Sequence, residues 1–387
     1  MSSASLVRRA VFAGASLLAL SQADASAQTA PAGQPLEFTI TANRGETPIA
    51  RAGSSVTVIT AEEIAKASPT SPLDALRGVP GLTVTESGGP GKFSSVFLRG
   101  AEDRHTLVLI DGIRVGDPAS TGGGFDFANL VLTDIERIEV LRGPQSALYG
   151  SDAIGGVINI ITRKGRGEPR ASIQIEGGSY GTLSTVMSLS GGTSSFSYAL
   201  ALAAARSEGF SAYGYRIRDL EAKYGPFDKD GFRRFAGSAR FAWRPSDAVE
   251  IEAGLYGGQL RSDYDAAFAG FGFLPDTPSF LRSRVTTAYV RATADAFDGL
   301  LRNRVTLYGS ETDRKNYDVQ RTNFGFGITD EFNRYDFRGR RLGVEYQGDL
   351  RLGAFGKFTF GGGVERESAH TATLPGQNSF NLNESAS

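Results

Sequence analysis

The feature that most limits the fold of this chain is a two-residue alternation of apolar and polar side chains, which repeats from about Ala171 onward. In the segment ARFAWRP, Ala239, Phe241 and Trp243 fall on one face and Arg240 falls on the other. Because successive side chains of a strand point to opposite faces, this period predicts β-strands with one apolar and one polar face. About nine such segments follow one another, most of them near the ten-residue length of a membrane-spanning strand.

The connections between these segments alternate in length. GGTSS, RPSD and RLGAFG are short, whereas the stretches 207–231, 261–281 and 312–334 are long, polar and carry aromatic residues. Short turns on one side and long loops on the other are typical of outer-membrane barrels, and a charge on the lipid face costs about 2–4 kcal/mol at mid-membrane. We therefore expect the polar faces to line the interior. A secreted β-sandwich also alternates and is the distant alternative, but it does not explain the unequal loops.

The N-terminus predicts export. Residues 1–27 contain Arg8 and Arg9, an apolar run over 10–20 and an Ala-Ser-Ala site that ends at Ala27, which is the order of a secretory signal peptide. The apolar run is too short to cross a bilayer as a helix, and no other segment is apolar for long enough. If the mature chain spans a membrane, it must do so with strands.

Residues 28–44 form the next segment of the chain. QTAPAGQP at 28–35 is typical of a flexible linker, and the alternation from Leu36 to Thr41 predicts an isolated extended strand. Such a strand can add to the edge of a partner's sheet. The alternative is an ordinary first strand of the domain that follows.

Residues 45–165 predict a compact α+β domain. Thr60 with Glu63 forms a capping box that opens a short helix, and Pro72 occupies the first position of a second helix. Strand-like runs separated by glycine-rich turns follow. The last two runs, RIEVL and GVINIITR, flank a stretch rich in glycine, which predicts two strands joined by a turn.

Several features argue against an enzyme or a nucleic-acid-binding protein. Lys and Arg total 41 against 42 Asp and Glu, there is no cysteine, and only two histidines are present, so the basic excess of a nucleic-acid-binding protein is absent. GGSYG at 177–181 matches a nucleophile elbow, but it lies between two alternating strands and predicts a hairpin turn. GGPGKFS lacks the Ser or Thr that a phosphate loop needs after Lys92, and we interpret it as a mobile loop.

Aspartates in two long loops are the one group of candidate metal ligands. Asp228 and Asp230 lie in FDKDGF, Asp265 lies in DYDAAF, and Asp276 lies in LPDTP. Both loops are predicted on the same side of the sheet, and clustered carboxylates suit Ca²⁺. The alternative is a set of solvated turn aspartates, since aspartate is common in turns.

Two stretches carry a family resemblance: SVFLRGAEDRHTLVLIDGIRVGDP and IERIEVLRGPQSALYGSDAIGGVINIITRKG. They closely resemble the plug domain of TonB-dependent outer-membrane receptors, in the order of that family's motifs. The resemblance implies a plug domain over 45–165 and the N-terminal part of a transmembrane β-barrel over 166–387. LEFTITANR resembles the TonB box, through which such receptors contact the energy-transducing protein TonB. The implied box residues are Leu36, Glu37, Phe38, Thr39, Ile40, Thr41 and Ala42.

The resemblance also implies roles for individual side chains. In such receptors a plug arginine faces barrel carboxylates, and Arg99 and Arg142 occupy the matching positions here. Their expected partners are Glu250, Glu252 and Glu345. Within the family the loops are most similar to the vitamin B12 (cobalamin) receptors, whose matching loop segments hold Ca²⁺.

The expected function is therefore active uptake of cobalamin through the outer membrane, with a ferric-siderophore receptor as the alternative. Family barrels have about 22 strands, whereas about nine are predicted here. Because an open sheet edge is not stable in hydrocarbon, we expect the sequence to be truncated within the barrel; the alternative is that the barrel closes by association of chains.

Overall fold

The computed structural model describes most of the chain downstream of the linker. The predicted signal peptide lies outside the described residues, as do the linker and the TonB-box positions 36–38 and 41–42. None of the helices in the described part is both long and apolar enough to cross a membrane. The described residues are 39–40, 47–48, 54–67, 72–120, 123–130, 134–211, 228–265, 273–274, 276–323, 328–353 and 356–377.

The first domain is a small α+β unit built on a five-stranded sheet. The order of its strands is β3 (Ser55–Thr60), β8 (Ile135–Arg142), β9 (Gly156–Thr162), β6 (Thr106–Ile110) and β7 (Ile113–Arg114). Within it β6 and β9 run parallel, and the other neighbours are antiparallel. Its elements are β1 (Thr39–Ile40), β2 (Thr47–Pro48), β3 (Ser55–Thr60), α1 (Ala61–Ala67), α2 (Pro72–Leu76), β4 (Leu82–Glu86), β5 (Ser94–Leu98), β6 (Thr106–Ile110), β7 (Ile113–Arg114), β8 (Ile135–Arg142), α3 (Ser146–Tyr149) and β9 (Gly156–Thr162).

Local signals in the sequence correctly predict several of these elements. Helix α1 begins directly after Thr60, whose Oγ1 accepts a hydrogen bond from the Glu63 amide at 3.2 Å, while Glu63 accepts one from the Thr60 amide at 2.7 Å. Helix α2 begins at Pro72 as predicted. The strands β8 and β9 pair antiparallel, and at Gly156 a Cβ would lie only 2.2 Å from the Leu141 carbonyl oxygen. Glycine is therefore required where β9 begins.

The second part of the chain is one antiparallel sheet in which nine long strands follow one another in sequence order. The two-residue strand β15 pairs separately with β17. The strands are β10 (Arg170–Gly178), β11 (Thr182–Gly192), β12 (Phe196–Ser207), β13 (Phe232–Ser246), β14 (Val249–Tyr264), β15 (Phe273–Leu274), β16 (Ser279–Ala296), β17 (Leu301–Asn323), β18 (Ile328–Arg351) and β19 (Lys357–Gln377).

Two expectations about these strands need correction. A ten-residue length suits β10 to β12, but β16 to β19 have 18 to 24 residues. The stretch 312–334, predicted as a loop, lies mostly within β17 and β18, whose pairing extends to Asn323 opposite Ile328. Its polar composition reflects strand ends that continue beyond the apolar band, where both faces can be polar. The hairpin turn predicted for GGSYG is confirmed, with Tyr180 and Gly181 at positive φ.

The two faces of the sheet differ as the alternation predicts. Outward side chains such as Leu202, Phe235 and Leu255 are more than half exposed, whereas Ala203 and Ala236 on the inner face are buried. Aromatic side chains collect outside near the short turns, where Phe196 stacks on Phe241 with ring centroids 6.4 Å apart. An apolar outer face bordered by aromatic residues is the pattern of a lipid-facing barrel wall.

Candidate functional site

The α+β domain packs against the inner face of the sheet through a buried charge network centred on Arg240 of β13. The Arg240 guanidinium donates to Asp111 Oδ1 at 3.0 Å and to the Thr162 carbonyl oxygen at 2.8 Å, both in the small domain. Its other terminal nitrogen donates to Glu252 Oε2 of β14 at 3.0 Å. Because the arginine side chain is only 8% exposed, its charge requires both carboxylates.

Glu252 is the second centre of this network. It accepts hydrogen bonds from Tyr289 Oη at 2.8 Å and Arg291 Nη1 at 3.1 Å, and Lys164 Nζ of the small domain lies 3.1 Å away. Arg291 also donates to the Asp111 carbonyl oxygen at 2.8 Å. Three cations therefore surround two buried carboxylates, and each domain contributes both signs of charge.

A glycine makes room for the tyrosine of this network. Gly254 lies directly opposite Tyr289 across the β14–β16 pair. A Cβ at Gly254 would lie 2.2 Å from the Tyr289 ring, so only glycine allows the ring to lie flat over the strand and the hydroxyl to reach Glu252.

Other inward side chains of the sheet bind backbone carbonyls of the small domain. Arg234 donates to the carbonyl oxygens of Ala128 and Leu130, both at 3.1 Å. Further along the sheet, Arg341 Nη1 donates to the Gly116 carbonyl at 3.1 Å. Hydrogen bonds from charged groups to carbonyls are stronger than neutral ones. These contacts therefore fix the small domain at several separate points against the inner face of the long-stranded sheet, which we call the wall.

These contacts correct the roles expected for Arg99 and Arg142. Arg142 donates instead to the Pro80 carbonyl at 2.9 Å and to Thr57 Oγ1 at 3.2 Å, both within its own domain. Arg99 is exposed and lies in a turn with a φ of 52°. Both residues end strands of the small domain, which directs their side chains along that domain rather than toward the wall.

The expected carboxylate partners lie on the wall as predicted, but a different cation reaches them. Lys164 contacts Glu252 and lies 3.9 Å from Glu250, and Glu345 lies on the same inner face, opposite Thr306. The sequence places Arg240 on the polar face of its strand, which is the signal that could have identified it. Its partner Asp111 has no comparable local signal, because LIDG has the composition of an ordinary turn.

The loop aspartates are brought together by the fold. Carboxylate oxygens of Asp228, Asp265 and Asp276 all lie within 4.8 Å of one another, although they come from two separate loops. The Asp228 amide donates to Asp276 Oδ1 at 3.2 Å, and the Thr277 amide donates to Asp265 Oδ1 at 3.0 Å. Asp230 does not join this group of three.

The electrostatics of this aspartate cluster favour a cation. Burial raises the pKa of Asp228 to about 8, and the charges of Asp276 and Asp230 add to the shift. Burial also raises the pKa of Asp265 to about 7. The Oδ2 atom of Asp265 is buried and has no hydrogen-bond partner among the described residues. Three carboxylates, one of which has an unsatisfied buried oxygen, match the oxygen ligands that Ca²⁺ takes.

Lys92 connects the small domain to the same two loops. Its Nζ donates to the Asp230 carbonyl at 3.0 Å and to Ser262 Oγ at 3.1 Å, and it also contacts the Asp263 carbonyl. The side chain is buried, and this burial lowers its pKa. The GGPGKFS segment, interpreted from sequence as a mobile loop, is instead a closed turn anchored to the sheet, because Lys92 finds several carbonyl acceptors there.

The geometry agrees with comparisons to known proteins. The TonB-dependent receptor plug domain family matches residues 48–157. The chain is 39% identical over 230 residues to the vitamin B12 transporter BtuB of Photobacterium profundum, and 38% identical over 229 residues to that of Vibrio vulnificus. These alignments cover 59% and 56% of this chain, and the chain spans 36% of the length of each relative.

Solved structures show the same fold at lower sequence identity. The ferripyoverdine receptor of Pseudomonas aeruginosa superposes with a TM-score of 0.64 at 15% identity, covering 87% of this chain and 45% of that one. The copper transporter OprC superposes with a TM-score of 0.65 at 17% identity, covering 83% of this chain and 46% of that one. Residues 48–157 match the TonB-dependent receptor plug domain, and the chain as a whole is similar to the TonB-dependent outer-membrane receptors in their plug domain and part of their barrel.

Proposed function

We propose that this receptor takes up cobalamin across the outer membrane by an energy-coupled mechanism in which the plug blocks the barrel until TonB acts on it. The observation that carries the proposal is the buried network joining Asp111 and Lys164 of the plug to Arg240 and Glu252 of the wall. A domain held by several buried charge contacts does not leave the lumen spontaneously, so its movement requires an external input of free energy.

Cobalamin is the proposed substrate because the sequence relatives at 38–39% identity are named as vitamin B12 transporters. A ferric siderophore is the alternative, since ferripyoverdine and enterobactin receptors share the fold. The test is equilibrium binding of cyanocobalamin and of ferric siderophores to outer membranes that carry the receptor. Saturable binding of cyanocobalamin alone supports the proposal, and binding of a siderophore alone would replace it.

We propose that the TonB box, residues 36–42, lends its backbone to a sheet edge of TonB. In the structure Thr39 and Ile40 pair with Pro48 and Thr47 in a two-residue ladder, whereas the sequence predicts an isolated strand. So short a ladder is weak, because a two-stranded hairpin is only marginally stable by itself. Exchange of this ladder for a longer one with TonB is therefore energetically feasible.

We also propose that the aspartate cluster binds Ca²⁺ and that the bound ion orders the two loops 207–231 and 261–281, which we call the ligand loops. Asp228, Asp265 and Asp276 would supply carboxylate oxygens, and Asp230 would add negative charge nearby. Because Lys92 of the plug binds the backbone of the same loops, ordering by a cation would also reach the plug. Bound calcium would act here only by attracting these carboxylates and so holding the two loops in one arrangement.

We predict that chelation of calcium weakens cobalamin binding by the purified receptor by about tenfold, which is a typical coupling between two sites. Asp228→Asn should give the weakened affinity with or without chelator, because it removes one ligand charge. The matched control is Asp263→Asn, which removes a nearby carboxylate that pairs with Arg261 instead. Isothermal titration in calcium and in chelator measures both. Affinity that ignores the chelator in the unmodified receptor would favour simple solvated aspartates.

A further inference from the structure

A row of basic side chains crosses the outer face of the sheet in direct register. Arg206 of β12 lies opposite Arg233 of β13, and Arg233 lies opposite Arg261 of β14. Arg261 in turn lies opposite Arg282 of β16, which lies opposite Lys315 of β17. Neighbouring strands are about 4.8 Å apart, so five positive charges occupy roughly 20 Å along one line. We call these five residues the basic row.

The basic row faces away from the plug. Its neighbours in sequence point inward: Arg234 binds plug carbonyls, and Leu260 and Ser262 are buried. Arg206 and Arg233 themselves are exposed, and Arg261 is partly exposed. The row therefore lies on the surface that the barrel presents to lipid.

Negative charge on the sheet compensates the row unevenly. Toward β17 and β18, Lys315 lies opposite Asp336, and Asp313 is close by. Toward β12, the acids beside the row are Asp263, whose carboxylate is 3.4 Å from Arg261, and Glu208, which lies near Arg206 but pairs with Lys229 at 2.7 Å. Arg233 forms no ion pair with any residue that the structure describes. Like charges directly opposite each other on paired strands are destabilising, so an anionic partner would stabilise this end of the row.

The height of the row on the barrel identifies where that partner lies. Arg206 lies ten residues after Phe196, an aromatic residue near the short turns, on the same face of β12. At about 3.3 Å per residue along a strand tilted by roughly 40°, ten residues rise about 25 Å, which is the height of the apolar band of such barrels. Along β12 the outward residues between them include Leu200, Leu202 and Ala204, which are apolar. The β12 end of the basic row, at Arg206, therefore lies at the upper border of the hydrocarbon, on the side of the long loops.

We infer that the β12–β14 end of the basic row binds the phosphate groups of phosphorylated lipid in the outer leaflet of the membrane. Guanidinium groups bind phosphate oxygens through pairs of parallel hydrogen bonds, and adjacent arginines one strand apart can share one phosphate. The long loops of outer-membrane barrels face the exterior, which places the row among the headgroups of that leaflet. Phosphate supplies the negative charge that Arg233 does not receive from any residue that the structure describes.

The test is native mass spectrometry of the detergent-purified receptor titrated with diphosphorylated lipid A and with its dephosphorylated form. The unmodified receptor should prefer the phosphorylated lipid. The double variant Arg206→Gln, Arg233→Gln should lose affinity for it by about 30-fold, and Arg206→Lys, Arg233→Lys should retain most of it. The dephosphorylated lipid should bind all forms equally.

The matched control is Arg338→Gln, Arg340→Gln. These arginines lie on the same outer face but pair with Asp313 and Glu311 at 2.8 and 3.0 Å, so their loss should leave lipid A affinity unchanged. Equal binding of both lipid forms by the unmodified receptor would overturn the inference. An equal loss of affinity in the control would also overturn it, because the effect would then come from net charge alone. If the glutamine variant does not fold, the lysine variant and the two lipid forms still decide the question.

Discussion

Replacing Ile40 with proline is expected to abolish energy-dependent uptake while leaving ligand binding unchanged. The TonB box is proposed to bind TonB through backbone hydrogen bonds, and proline removes a donor and fixes φ. The loops 207–231 and 261–281 are far along the chain from this strand. Accumulation of cobalamin by intact cells and binding of cobalamin to isolated membranes measure the two effects separately.

The control for this change is Ile40→Ala, which keeps the backbone donor and should retain most of the uptake. Normal uptake by the proline variant would contradict strand addition at this position. Equal loss of uptake in both variants would show that the isoleucine side chain, rather than the backbone, makes the contact.

Replacing Glu252 with alanine is expected to loosen the plug. The carboxylate lies among Arg240, Arg291 and Lys164, and removing one partner of a buried ion pair costs about 3–5 kcal/mol because the remaining charges stay buried. Hydrogen exchange of the amides in β6 and β9, next to Asp111 and Thr162, measures this loss. Their free energy of opening should fall by about 3 kcal/mol.

Glu250 on the same strand provides the matched control. Its side chain is 25% exposed and pairs with the more exposed Arg244, so Glu250→Ala should cost less than about 1 kcal/mol. Exchange rates in β6 and β9 that are the same in the Glu252→Ala and unmodified receptors would show that the network does not hold the plug in place.

The sequence predicts those parts of the fold that depend on local chemistry. Thr60 and Glu63 identify the start of α1 because a capping box involves only residues three positions apart. The alternation around Arg240 correctly predicts an inward arginine because the side-chain period of a strand is fixed. The ends of β16 to β19 were less predictable, since strands outside the hydrocarbon need no apolar face and their composition resembles that of loops.

Contacts between distant segments were the hardest to predict. Asp111 and Arg240 meet across 129 positions of sequence, and no pattern near LIDG marks its aspartate as buried. The family resemblance instead suggested Arg99 and Arg142, which the structure places along the plug itself. The aspartate cluster was easier, because connections that alternate between the two ends of a sheet place Asp228 and Asp276 on the same side. Its link to the plug through Lys92 depends on how deeply the GGPGKFS turn reaches, which composition does not specify.

The proposal that this receptor imports cobalamin with energy from TonB is tested most directly by uptake of radiolabelled cyanocobalamin into cells that express it, with and without TonB. The expected result is saturable surface binding in both strains and accumulation inside the cells only when TonB is present. Accumulation at the same rate without TonB would contradict energy coupling, and an absence of surface binding in both strains would contradict cobalamin as the substrate.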